Sequence, residues 1–253
     1  MRAFDPDPSL RWLFCFAHPD DEVAMAGWIH RLRASGVEVL LAWMHSTPIR
    51  RAEALESARI LGVDEVSFLG ATDGQMAEEM SLLLPGVVAL LARVCPDRVV
   101  VPAFEQGHLD HDVTHVLIQR AFDGVILEVP LYYTYLSRLP TANRFADPVD
   151  SEDLRLSTGE QDAKRAVLKC YPSQRIETLF RVYDALSRLS GNGSALSVEH
   201  LRVATNKDFL TPHLPSHLAQ KVAQSPTWHR WQRAYLSFQE SVEDAGPESE
   251  PTS

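Results

Sequence analysis

The first half of the chain alternates between short apolar runs and longer segments in which apolar residues recur every three or four positions. Runs of the first kind predict buried strands, and segments of the second kind predict amphipathic helices. The predicted strands are residues 11–17, 37–44, 66–69 and 98–101, and the predicted helices are residues 22–34, 51–61, part of 77–94, and 111–122. Strands that are apolar on both faces and alternate with helices are typical of a parallel sheet covered on each side. The sequence therefore predicts an α/β fold, a single domain with a Rossmann-like, mainly parallel sheet and helices on both faces.

The second half of the chain has a less regular pattern. An apolar stretch at 125–136 precedes a segment rich in Pro, Asn, Asp and Ser, which we interpret as a linkage. Two further helices are predicted at 162–171 and 174–188. Composition predicts a flexible break at 190–194 and an acidic, disordered tail at 241–253, so that residues 1–240 form the domain.

Composition and charge narrow the class of partner. The chain has 253 residues, of which 45% are hydrophobic, and this is enough to bury the core of one domain. A formal net charge of −10 argues against nucleic acid or an anionic membrane as the main partner, since both select for clustered Lys and Arg. No apolar run approaches the roughly 18 residues of a membrane span, and the N-terminus has no apolar signal core. Three cysteines without CxxC spacing indicate reduced thiols. We expect a cytoplasmic protein with a small-molecule substrate.

Two polar clusters follow directly on predicted strands. His18, Asp20, Asp21 and Glu22 come after the first strand, and residues 107–112 come after the fourth. Adjacent buried carboxylates repel one another, so a cluster at the mouth of an apolar core needs a cation. Because the carboxyl ends of parallel strands meet at one edge of the sheet, we expect both clusters on the same face.

The residue types at these strand ends suit a catalytic metal. His18 and Asp21 can aim at one point across a strand-to-helix turn, and His111 could complete the site. Two imidazoles and one carboxylate are a known catalytic zinc set that leaves a position for water. Such an ion lowers the pKa of water from about 15.7 to about 7, which favours hydrolysis. The same ligands would accept Fe²⁺ or Co²⁺.

The remaining residues of the two clusters supply acid–base chemistry. Asp20 is the candidate general base. Asp110 could fix the tautomer of His108 and favour its imidazolium form, which would stabilise an oxyanion. The alternative is that each cluster only caps a helix. Capping is a poor explanation for two separate strand ends that both carry His and Asp.

With these residues in place, the chain resembles the LmbE-like (PIG-L) family of metal-dependent N-acetylglucosaminyl deacetylases. Residues 17–22, Ala-His-Pro-Asp-Asp-Glu, are the first motif of that family, and residues 107–111 are similar to its second, with Leu109 in place of proline. The likeness covers most of residues 11–120. A weaker downstream signature comprises Lys164, Tyr171, Ser173 and Gln174.

This resemblance implies a zinc-dependent hydrolase that removes an acetyl, or a longer acyl, group from an amino sugar or a related N-acyl compound. It implies roles for eight residues: metal binding by His18, Asp21 and His111, general base catalysis by Asp20, carbonyl activation by His108 with Asp110 behind it, and substrate binding by Arg50 and Asp73. Arg50 and Asp73 could equally be a helix-start charge and a turn residue. The segment 45–49 lacks the glycine-rich loop that many relatives have before the arginine, so we expect a reshaped substrate rim.

Three other functions are the alternatives to this one. A metal-dependent amidase acting on a non-sugar N-acyl natural product or thiol conjugate would use the same ligands. A non-catalytic metal-binding module would need neither Asp20 nor His108. A nucleotide-binding Rossmann protein is disfavoured, because acids replace the GxGxxG turn and would repel a pyrophosphate.

Several further side chains could line the site. His45 follows the second strand, although a buried, hydrogen-bonded histidine is the commoner outcome. His200 could reach the site from a late strand or loop at 198–204. Tyr132, Tyr133 and Tyr135 could line a pocket, although strand packing is the commoner role of such residues.

Overall fold

The structure is a computed structural model that describes residues 2–131, 143–189, 194–205 and 207–244. Within this part of the chain the strands are β1 Arg11–Phe16, β2 Glu38–His45, β3 Glu65–Ala71, β4 Arg98–Pro102, β5 Val125–Val129, β6 Glu152–Arg155 and β7 Val198–Val203. The α-helices are α1 Ala26–Ala34, α2 Pro48–Leu61, α3 Met80–Val94, α4 Leu109–Ala121, α5 Thr158–Leu168, α6 Ile176–Leu189, α7 Ser216–Ala223 and α8 Pro226–Asp244. Short 3-10 helices occupy Asp21–Met25 and Pro172–Gln174.

All of these strands belong to one sheet, in the order β3-β2-β1-β4-β5-β7-β6. Strands β1 to β5 run parallel, whereas β7 is antiparallel to β5 and β6 is antiparallel to β7. The strand order reverses at β1, which lies between β2 and β4. In open α/β sheets, ligands bind beyond the carboxyl ends of the strands at such a switch point. The predicted single-domain, mainly parallel α/β fold is confirmed.

Helices cover both faces of the sheet, which is why the central strands are apolar throughout. On one face, Leu13 and Cys15 belong to the core cluster that includes residues of α3, α4 and α8. On the other, Trp12, Phe14 and Phe16 belong to the cluster that includes residues of α1, α2 and α5. Alternate residues of β1 thus stabilise opposite layers, as the period of two in a strand requires.

Three helices begin earlier than the apolar pattern predicts, because a capping residue precedes the first apolar position. Helix α2 begins at Pro48, not at residue 51, because the Thr47 side chain accepts the Arg50 N–H and Pro48 stands at the first helical position. Helix α4 begins at Leu109, capped by His108. Helix α5 begins at Thr158, because Ser157 and Glu160 form a capping box.

Strand β6 and helix α7 were not predicted from the sequence, and parts of the chain leave its predictions untested. Strand β6 lies in the segment interpreted as a linkage; its residues Glu-Asp-Leu-Arg are polar, as expected at a sheet edge. Helix α7 has no counterpart among the predictions. Helix α8 continues to Asp244, so the first residues of the predicted tail are helical. The rest of that tail, most of the predicted break at 190–194, and Tyr132, Tyr133 and Tyr135 lie outside the described residues.

Two smaller expectations concern membranes and thiols. Among the described helices, none combines the length and apolar character that crossing a bilayer requires. Cys15, Cys95 and Cys170 are all free thiols, as the absence of CxxC spacing predicts.

Candidate active site

The two predicted clusters meet beyond the carboxyl ends of β1 and β4, which are adjacent strands. The ring centroid of His18, two residues after β1, lies 5.3 Å from that of His108 and 5.7 Å from that of His111. His108 caps α4 and His111 lies in its first turn, with 5.0 Å between their ring centroids. Three imidazoles therefore surround one point at the switch point of the sheet.

A tight turn after β1 points the side chains of the adjacent residues Asp20 and Asp21 in different directions. The Asp21 carboxylate accepts the backbone N–H of His18 at 2.9 Å, and the Asp21 N–H donates to the His18 carbonyl at 3.2 Å. Asp21 Oδ1 lies 3.3 Å from His111 Nε2, so this carboxylate stands between two imidazoles. Asp20 has a φ of 110°, in the left-handed region, and its Oδ1 instead lies 3.3 Å from Arg50 Nη2.

Two further carboxylates approach His18 from the opposite side. His18 Nε2 lies 3.1 Å from Asp110 Oδ2 and 3.2 Å from Asp73 Oδ1. The backbone N–H of Gly74 donates to the same Asp110 oxygen at 2.8 Å, so the turn after β3 is tied to α4. Asp73 is half exposed, with 55% of its side-chain surface accessible, and faces the mouth of the site.

The position of Asp110 corrects the expectation for His108. The Asp110 carboxylate binds His18 and Gly74, and its contact with His108 is a backbone N–H donated to Nδ1 at 3.2 Å. Burial, together with nearby His111 and His18, lowers the pKa of His108 to about 4. His108 is therefore a neutral imidazole with its proton on Nε2, not the imidazolium that the sequence suggested.

Buried acids dominate the electrostatics of the site. Burial alone lowers the pKa of His18, but hydrogen bonds with Asp110 and Asp73 and the charge of Asp21 raise it to about 10. Burial opposes ionisation of Asp21, yet His111 and His18 lower its pKa to about 2. Burial and the charge of Asp21 raise the pKa of Asp20 well above its ordinary value. The cluster thus stabilises positive charge at its centre.

The donor atoms fit a divalent cation. Among the described residues, two groups bring ligand atoms within 4.8 Å of one another: His18, His108 and His111, and His18, Asp73 and Asp110. Asp21 belongs to neither group, although it contacts both His18 and His111. Within the described part of the chain, the buried Asp110 Oδ1 accepts no hydrogen bond. Imidazole and carboxylate ligands together suit Zn²⁺, Fe²⁺ or Co²⁺.

Some residues lie elsewhere than the sequence suggested. Glu22, counted with the carboxylates that need a cation, is fully buried and binds Ser57, Trp43 and Tyr171 in the core. Its position in a 3-10 helix turns it away from the site, which no local pattern indicates. His200 lies on β7 and pairs with Asp153 of β6 at the sheet edge.

Arg50 and His45 both lie next to the cluster, but only Arg50 contacts its carboxylates. Arg50 donates to the Pro19 carbonyl at 2.9 Å and contacts Asp20 and Asp73. His45 is buried and its Nδ1 lies 2.8 Å from the Ala71 carbonyl, the commoner of its two expected outcomes.

Comparison with known proteins agrees with this geometry. Residues 13–122 match the PIG-L family model, described as GlcNAc-PI de-N-acetylase. No curated protein matches the chain.

Similar solved structures share the fold. A conserved protein of Thermus thermophilus is 24% identical, with a TM-score of 0.58 over 79% of this chain and 97% of its own. The zinc-inhibited form of teicoplanin deacetylase Orf2 is 14% identical, with a TM-score of 0.59 over 78% and 99%. The N,N'-diacetylchitobiose deacetylase of Pyrococcus horikoshii is 20% identical, with a TM-score of 0.53 over 79% and 85%.

Proposed function

Because residues 13–122 form a PIG-L-family domain, we propose that this protein is a metal-dependent N-deacetylase. It hydrolyses the amide that joins an acetyl, or a longer acyl, group to the nitrogen of an amino sugar or its glycoside. The observation that carries this proposal is the meeting of His18, Asp21 and His111 beside Asp20 at the switch point of the sheet.

His18, Asp21 and His111 would hold the metal, and zinc is the ion that this ligand set favours. When bound, such an ion acidifies a coordinated water and polarises a carbonyl oxygen. The acidic surroundings of His18 favour a cation in this position.

Asp20 acts as the general base. Its carboxylate is nearly buried and lies next to Asp21, and both features raise its pKa and so its capacity to take a proton. Arg50 holds one of its oxygens at 3.3 Å. Asp20 takes a proton from the water that attacks the amide carbonyl carbon, and passes it to the amine nitrogen as the C–N bond breaks.

His108 supplies a hydrogen-bond donor to the carbonyl oxygen. The Asp110 N–H occupies its Nδ1, which keeps the proton on Nε2. A neutral imidazole of this tautomer donates one hydrogen bond to a developing oxyanion. Asp110 acts on the opposite side of the site by orienting His18.

Asp73 and Arg50 are the proposed contacts to the sugar. Asp73 is half exposed at the mouth of the site, and its carboxylate can accept hydrogen bonds from hydroxyl groups. Two similar folds belong to a teicoplanin deacetylase and a diacetylchitobiose deacetylase, which supports a sugar-containing substrate. The free cysteines support a cytoplasmic location.

A non-sugar N-acyl natural product or thiol conjugate is the second candidate substrate. Its hydrolysis would use the same metal ligands and the same base, Asp20.

Acetate release from a panel of N-acetyl sugars and N-acyl conjugates tests the proposal. We expect turnover by the wild type and a loss of about 10²–10⁴-fold in kcat for Asp20→Asn, with the metal content unchanged. Asp162→Asn, an exposed aspartate on α5, is the matched control and retains full activity. Undiminished turnover by Asp20→Asn with metal bound would exclude Asp20 as the base.

A further inference from the structure

Glu22 anchors the turn that carries Asp20, and it does so from inside the core. Its carboxylate is fully buried. Oε1 accepts hydrogen bonds from the hydroxyls of Ser57, at 2.5 Å, and Tyr171. Oε2 accepts the Trp43 Nε1–H at 3.3 Å and the Asp20 backbone N–H at 3.1 Å. Both carboxylate oxygens of Glu22 are therefore occupied by protein donors.

Three of these donors come from separate elements of the fold. Trp43 lies on β2, Ser57 on α2, and Tyr171 follows α5. Glu22 thus joins the short 3-10 helix after β1 to the body of the domain. A buried carboxylate with this many donors has a single orientation, since rotation would leave several polar groups without partners.

The fourth donor is the backbone of a residue in a strained conformation. Asp20 has a φ of 110°. A non-glycine residue in such a region costs on the order of 1–3 kcal/mol and persists only where its surroundings hold it. Glu22 Oε2 supplies that restraint at the Asp20 N–H, and Arg50 supplies another at the Pro19 carbonyl and Asp20 Oδ1.

We propose that Glu22 is a positioning residue for the deacetylation, because its hydrogen bond to the Asp20 N–H fixes the left-handed turn that aims the Asp20 carboxylate into the site. This inference rests on the proposed function, in which Asp20 is the base. Without the acceptor at Oε2, the Asp20 backbone relaxes towards negative φ and its carboxylate turns away from the substrate amide. Misplacement of a catalytic group by about 1 Å costs on the order of 10² in rate.

The chemistry of the side chain provides a conservative variant. In Glu22→Gln, the amide oxygen can replace Oε2 and still accept from Asp20 and Trp43, while the amide NH₂ donates to the oxygens of Ser57 and Tyr171. Glu22→Leu has similar volume and no acceptor. Glu22→Asp keeps the charge but is too short to reach the Asp20 N–H.

The experiment measures kcat, KM and metal content on the N-acetyl substrate that the wild type turns over best, together with crystal structures of the variants. We expect Glu22→Leu to lose about 10²-fold in kcat with KM and metal content unchanged, and Asp20 to adopt negative φ. Glu22→Gln retains kcat and positive φ. Glu128→Gln, which removes another buried carboxylate, is the stability control and retains kcat.

Wild-type kcat in Glu22→Leu, or a loss in Glu22→Gln as large as in Glu22→Leu, would overturn the inference. Should Glu22→Leu fail to fold, Glu22→Asp decides the question, with a kcat loss at constant KM expected. Should the wild type and Asp20→Asn both release no acyl group from any substrate, the proposed function fails. The φ of Asp20 in the Glu22 variants then still decides whether Glu22 holds the turn.

Discussion

Lys164 Nζ lies 2.8 Å from Glu199 Oε1, and neither side chain has any exposed surface. The Glu199 carboxylate also accepts the backbone N–H groups of Gly27 and Trp28, at 2.9 and 2.8 Å, in the first turn of α1. Lys164 in turn donates to the Ala24 carbonyl at 3.1 Å. Strand β7 and helix α5 thus hold the start of α1, which follows the turn that carries Asp20, although both lie beyond the residues that match the family model.

Replacing Lys164 tests the strength of this anchor. Lys164→Met leaves the Glu199 charge buried and without its cation, and breaking a buried pair in this way costs about 3–5 kcal/mol. We expect a fall of that size in the free energy of unfolding, measured by urea denaturation. Lys169→Met, at an exposed position of the same segment, leaves the stability unchanged.

The double variant Lys164→Met with Glu199→Gln separates charge from packing. Removing both charges should recover part of the loss, because an amide is cheaper to bury than an unpaired carboxylate. A Lys164→Met variant as stable as the wild type would show that this pair does not anchor α1.

Local signals in the sequence predicted the first half of the fold and the place of the site. The apolar runs of β1 and β4 mark buried parallel strands, and parallel strands bring His18 and His111 to one edge whatever the loops do. Strand β6 gave no such signal, because an edge strand with one partner keeps polar residues on both faces.

The orientations of individual side chains did not follow from the sequence. Glu22 and Asp21 are neighbours with the same charge, yet one faces the core and the other faces the imidazoles. Asp110 was expected to face His108 but binds His18. The orientation of each side chain depends on partners that are distant in the sequence. Tyr171, for example, is 149 positions from Glu22, and the sequence pointed to it only through a family resemblance.

The strained turn predicts a conflict between stability and activity at Asp20. Glycine adopts positive φ without strain and removes a buried carboxylate whose pKa is raised by burial and by Asp21. We expect Asp20→Gly to raise the free energy of unfolding of the metal-free protein by about 1 kcal/mol and to abolish acetate release. Chemical denaturation in a chelator measures the first effect.

Asp150 provides the matched control for that substitution. It also has a positive φ, of 60°, at an exposed turn. Asp150→Gly should also raise the free energy of unfolding, but without changing kcat. A destabilised Asp20→Gly variant would mean that the contacts of the Asp20 carboxylate outweigh the backbone strain.

The ionisation of Glu128 predicts that the free energy of unfolding falls at acidic pH. Burial by itself raises its pKa, but His115, Lys207 and Arg202 lower it to about 2; Arg202 Nε lies 2.6 Å and His115 Nδ1 3.5 Å from the carboxylate. Since the folded pKa lies below the ordinary value, Glu128 stabilises the fold above about pH 4.5. This contribution is lost as the pH falls from there towards about 2.

Comparison with Glu128→Gln isolates that contribution. At neutral pH we expect the variant to be about 3–5 kcal/mol less stable, because it leaves the largely buried Arg202 and Lys207 without their carboxylate. The difference between the two proteins should shrink steadily as urea denaturation is repeated at lower pH. A difference independent of pH would assign the effect to packing and not to charge.

Metal binding distinguishes the proposed ligand set His18, Asp21 and His111 from the alternative group His18, Asp73 and Asp110. If His18, Asp21 and His111 hold the ion, Asp21→Asn removes zinc binding by the purified protein, whereas Asp73→Asn keeps it and raises KM. The two carboxylates stand on opposite sides of His18, with Asp21 near Nδ1 and Asp73 at 3.2 Å from Nε2, so one ion does not use both in this arrangement. Elemental analysis after dialysis against zinc gives the stoichiometry.

Thermal unfolding provides an independent measure of which residues bind the ion, because an ion that binds only the folded state stabilises that state. At a free zinc concentration of about 100 Kd, the free energy of unfolding rises by about 2.7 kcal/mol. A chelator should abolish both this gain and acetate release, and stoichiometric zinc should restore them. His200→Ala, at the distant β6–β7 edge, should behave as the wild type.

Zinc binding that survives Asp21→Asn but not Asp73→Asn would place the ion between His18, Asp73 and Asp110. Asp21 would then act only by orienting His18 and His111.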